Sequence, residues 1–62
     1  MSIRNAELGN LMRLVRKICR EKGQGAVSTD ADVLRLMNQC LRFGIPDHEI
    51  KLMIEAALET AN

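Results

Sequence analysis

A chain of 62 residues, with nine lysines and arginines against eight acids and 47% hydrophobic content, has room for one small domain, residues 1–62, and is too apolar to be a disordered segment. The near-neutral charge, the short apolar runs and the lack of an apolar h-region behind Met1-Ser2-Ile3-Arg4-Asn5 lead us to expect no membrane span or export signal, and a cytoplasmic protein. Two cysteines and one histidine, with no C-x-x-C or H-x-x-H spacing, argue against a disulfide scaffold and a metal site; free, buried thiols and no cofactor are expected.

The first helix is read from Ile3 to Lys22, with Ser2 as a candidate N-cap. Leu8, Leu11, Met12, Val15, Ile18 and Cys19 recur at three- and four-residue steps and define one apolar face, which Leu14 widens. Gly9 sits inside this helix, where glycine costs about 1 kcal/mol relative to alanine. Either another backbone passes close to it or the first turns are loose. Gly23 supplies the stop by entering the left-handed conformation.

Gln24 to Val27 reads as a short loop. Thr29, with Asp32 three residues on, resembles a capping box with a shorter acid. A second helix from Asp30 to Phe43 follows, its buried stripe made of Val33, Leu36, Met37, Cys40 and Leu41, with Leu34 at the margin. Gly44 and Ile45 fit a Schellman ending in which Ile45 packs back on Cys40.

Pro46 favours the first turn of a third helix, and Asp47 and Glu49 suit its positive end. That helix is read from Asp47 to Thr60, with Ile50, Met53, Ile54, Ala57 and Leu58 inward and Leu52 nearly opposite. No strand pattern and no repeat occur. The fold expected is all-α: a longer first helix packed on a helix-turn-helix-like hairpin of the second and third. A domain this small buries only about 60% of its unfolded surface. A homodimer is therefore expected as its extra source of stability.

Charge is unevenly spread. The first helix holds Arg4, Arg13, Arg16, Lys17, Arg20 and Lys22 against Glu7 and Glu21, a balance of +4. The remainder holds three cations against six acids, a balance of −3, which leaves the chain at +1. Arg13, Arg16, Lys17 and Arg20 share one outward quadrant. The leading reading of that quadrant is a solvated face or an ion-pair network, with Glu55 and Glu59 of the third helix as candidate partners. A phosphate-binding face is the next reading, and an acidic protein partner the third.

The spacing Leu36-Met37, Cys40, Gly44-Ile45, Ile50, Met53 resembles a helix-turn-helix over about twenty residues. The chemistry opposes that function. The third helix would offer Asp47, His48, Glu49, Lys51 and Glu55 to DNA, mostly acids where base and phosphate readers are needed. Phe43 is the only aromatic residue, so there is no platform for stacked bases.

Catalysis has little support. Cys19 and Cys40 lie on apolar stripes, His48 has no oriented partner, and Asp47 and Glu49 do not face each other. Met12, Met37 and Met53 read as core filling. The function expected is therefore non-enzymatic: a small regulatory or interaction module that binds another protein through apolar helix faces. Leu14, Leu52, Glu55 and Glu59 are the candidate contact residues. The alternative is a dimeric nucleic-acid-binding regulator that grips phosphates with Arg13, Arg16, Lys17 and Arg20.

Overall fold

The computed structural model describes residues 3–60, with side chains from Asn5 to Thr60. Three α-helices are present: α1 (Ile3–Lys22), α2 (Ala31–Arg42) and α3 (Asp47–Thr60). There is no strand among the described residues. The expected cap Ser2 lies outside them.

The apolar stripe of α1 is the spine of the core. Leu8, Leu11, Val15, Ile18 and Cys19 are all buried, and Leu11 and Val15 completely so. The helix stops at Gly23, whose N–H still donates to the Cys19 carbonyl at 2.9 Å. Gly23 has φ 92° and ψ 165°. Its φ is positive, as expected for the stop, but its backbone is extended rather than left-handed helical, in a region that only glycine enters readily.

This turn feeds a 3-10 segment, Gln24–Thr29, where the sequence suggested a plain loop. The Ala26 N–H donates to the Gly23 carbonyl at 3.2 Å, and the Thr29 hydroxyl donates to the Ala26 carbonyl at 3.3 Å. The segment buries Val27. Ala26 packs beside it against the same core.

The cap of α2 is Asp30, not Thr29. Its Oδ1 accepts from the N–H groups of Asp32 at 2.9 Å and Val33 at 3.1 Å. That satisfies two of the donors a helix start leaves open. Thr29 is held inside the 3-10 segment, and Asp32 pairs with Arg35 at 2.9 Å. Neither is left to form the expected box.

At its other end α2 closes as expected. The Ile45 N–H donates to the Cys40 carbonyl and the Gly44 N–H to the Leu41 carbonyl, at 3.1 and 3.0 Å. Gly44 has φ 86°, and Ile45 is buried beside Cys40 in the same cluster. This is the Schellman pattern with its apolar contact. The Pro46 carbonyl accepts from Glu49 and Ile50, both at 3.1 Å, so Pro46 stands just ahead of α3 as its cap residue.

The packing follows from where the apolar stripes fall. α1 packs against α2, α3 and the 3-10 segment, whereas α2 and α3 touch each other little. The two hairpin helices diverge from their joint at residues 43–46 with α1 lying against both. One consequence corrects the expected stripe of α2. Leu41, expected inside, is 45% exposed. Ile50 and Ala57 of α3 are fully buried, and the small Ala57 suits a close approach of another helix. The radius of gyration is 10.8 Å, against about 10.6 Å for a compact chain of this length.

Candidate interaction surfaces

Divergence of α2 and α3 leaves a groove. It is lined by Val27, Val33, Leu34, Met37, Ile54 and Leu58, with Gln24 and Ser28 as its only polar residues. Its volume is about 210 Å³. Small-molecule sites take roughly 300–1,000 Å³ and a few convergent polar groups, so this groove suits apolar side chains of a macromolecule better. Leu34 lies at its edge, 46% exposed. Leu41, seven residues on, shares that side of α2 by helix geometry. Leu41 and Phe43 add exposed apolar surface along and beyond the same helix.

Next to Ile54 and Leu58 in the chain stand Glu55 and Glu59, both exposed. They are four residues apart near the C-terminal end of α3. There like charges repel and the helix dipole disfavours acids. Neither makes an ion pair among the described residues. The expected network between these acids and the cations of α1 is therefore not formed within the described part of the chain. Leu52, on the outer side of α3, is 61% exposed. Leu14 is different: it is half-buried and packs against the core, so it does not join the exposed set.

The four cations of α1 divide. Arg16 is half-buried, and its Nε donates to Thr60 Oγ1 at 3.0 Å. Thr60 Oγ1 in turn donates to the carbonyls of Ala56 and Ala57, each at 3.2 Å. Arg16 thus stands at the negative end of α3, where a cation is favoured. Arg13, Lys17 and Arg20 are exposed and make no ion pair among the described residues. Arg20 folds back along α1, its Nε donating to the Arg16 carbonyl at 3.4 Å. Gly9 lies on the same outward side by helix geometry, and a Cβ built there meets nothing within 4 Å. No backbone among the described residues explains the glycine.

A polar hollow lies between α1 and the end of α2, lined by Glu7, Gln39, Arg42 and Phe43. One carboxylate oxygen of Glu7 is buried without a hydrogen-bond partner among the described residues. Burial, and secondarily the charge of Glu7, pushes the Cys40 thiol up. Cys40 is thereby held as the neutral thiol, the opposite of what a nucleophile needs. Cys19 is likewise free and buried. His48 is exposed on α3. Among the described residues no three His, Cys, Asp or Glu side chains are grouped to hold a metal. None of their helices is long and apolar enough to cross a membrane.

The groove was not legible in the sequence. Its lining combines core-edge residues of three elements, and periodicity within one helix does not report how far two helices diverge. The one available signal was the apolar pair Ala26-Val27 between Gly25 and Ser28. Comparison with known protein families, curated proteins and solved structures finds no match to this chain.

Proposed function

We propose that this protein is a small non-enzymatic interaction module, and that the groove between the 3-10 segment, α2 and α3 docks an amphipathic helix of another protein. The observation that carries this reading is the groove itself, with six apolar lining residues and Leu34 at its edge. Helix-in-groove recognition uses apolar anchors at three- and four-residue steps, each filling a hollow of this kind. The unpaired Glu55 and Glu59 beside it select the partner's chemistry. A helix with lysine or arginine on its flank relieves two acids that nothing in the described chain neutralises.

The test uses a labelled host peptide helix with leucines at i, i+4 and i+7 and lysines along one flank. Fluorescence anisotropy should show binding that weakens at least tenfold on Leu34→Asp, a change at a largely exposed position. Glu55→Lys should weaken it as well, and a peptide with glutamate flanks should bind poorly. Absence of binding by the lysine-flanked peptide overturns the reading. So does a dimeric mass in light scattering at tens of micromolar that Leu34→Asp converts to a monomer, because the groove then belongs to a second copy of this chain.

A further inference from the structure

We propose that Arg13, Lys17 and Arg20, on the outer face of α1, form a contact site for the phosphate backbone of a duplex nucleic acid. The proposal is independent of the groove, which no α1 residue lines.

The three side chains stand at i, i+4 and i+7 of one helix. At about 100° per residue they fall within a roughly 60° arc, and at about 1.5 Å per residue they span about 10 Å along the axis. The result is a straight, rigid row of cations. One DNA strand carries a phosphate for about every 3.4 Å of duplex axis, and long, flexible Arg and Lys side chains spread over about 10 Å let each of the three cations meet one phosphate. All three residues are exposed and free of ion pairs among the described residues. The fourth cation, Arg16, is already engaged at the end of α3.

The surroundings narrow the ligand. Ahead of the row, Ala6, Gly9 and Asn10 give a low surface with no acid, and the space at Gly9 is open. Glu21 is one turn beyond Lys17 and makes no ion pair with it. A membrane-surface helix needs a free apolar face; that of α1 is buried in the core. A single strand is favoured by aromatic stacking, and the chain has one aromatic residue, Phe43, far from this face in sequence. What remains is a phosphate backbone held stiff and in line. Arginine at two of the three positions suits the paired oxygens of a phosphate.

The probe is a 20-base-pair duplex of mixed sequence, with full-length protein and anisotropy as the readout. Three phosphate contacts give a slope of log affinity on log salt of about −2.7, or about a 40-fold loss from 50 to 200 mM salt. Arg13→Glu with Lys17→Glu should abolish binding while circular dichroism shows the helical fold retained. Arg13→Lys should keep most of it. A second duplex of unrelated sequence should bind equally well. No binding by the wild type at 20 mM salt overturns the proposal, as does binding without a salt slope. Polyglutamate binding as tightly as the duplex also overturns it, in favour of an acidic protein.

Discussion

Single residues in this small fold carry opposite costs for the same chemistry. Gly9 is helical with open space where a Cβ would stand, so Gly9→Ala should stabilise the protein by about 0.5–1 kcal/mol, read as a higher urea midpoint. Gly44 and Gly23 have positive φ of 86° and 92°. Alanine at Gly44 should cost about 1–2 kcal/mol. At Gly23, with its extended ψ, the cost should be at least as large. Cys40 links a residue to solution conditions. Its thiol is raised by burial and by Glu7, so the folded state holds the proton more tightly than the unfolded chain. The stability that Cys40 contributes is complete below the unfolded thiol value, about pH 8.5, and is lost as pH rises above it toward the higher folded value. Denaturation midpoints at pH 7 and pH 10 should therefore show a smaller deficit of Cys40→Ala relative to wild type at the higher pH.

At the scale of elements, the chain announces its helices better than its joints. The end of α1 at Lys22 and the start of α3 at Asp47 coincide with the reading from apolar spacing and end signals, because a stripe at helical steps with Gly23 or Pro46 beside it admits few alternatives. The α2 cap was missed by one residue. Thr29 and Asp30 are both good caps, and the choice is made by the 3-10 segment, which binds the Thr29 hydroxyl to the Ala26 carbonyl. That segment lays Val27 and Ala26 on the core, a tertiary fact invisible to local propensity. A pair of variants checks the assignment. Asp30→Ala should cost about 1 kcal/mol, since two backbone donors lose their acceptor. Thr29→Ala should cost less than about 0.5 kcal/mol, its bond being an exposed one at 3.3 Å. A larger cost at Thr29 than at Asp30 would return the cap to Thr29. Leu41 teaches the same lesson from the other side. It was expected in the buried stripe and is 45% exposed, because the apolar stripe of α2 is wider than the surface the rest of the fold covers.

The whole molecule is polarised in charge. Cations collect on the outside of α1 and acids on the outside of α3, and the ion pairs Arg35 with Asp32 and Lys51 with Asp47 each lie within one helix. The sequence shows the imbalance; in the structure Arg13, Lys17, Arg20, Glu55 and Glu59 make no ion pair among the described residues. Such an arrangement costs stability. Arg13, Arg16, Lys17 and Arg20 make four like-charged pairs at three- and four-residue spacing, each unfavourable by about 0.2–0.5 kcal/mol at low salt. Screening should relieve this, so the urea midpoint should rise between 20 and 300 mM salt, against the ordinary weakening of the two exposed ion pairs. Arg13→Glu turns two of the repulsions into attractions, with the new acid N-terminal to Lys17 in the better order. It should stabilise the protein at low salt by about 1 kcal/mol and remove most of the salt gain. The same substitution takes away one end of the row assigned to phosphate. A residue that weakens the fold and strengthens a contact is the expected mark of a working surface. The measurement therefore has two halves that must agree: Arg13→Glu should raise the denaturation midpoint and lower duplex affinity together. A variant that does the first without the second leaves the cations of α1 as a plain solvated face.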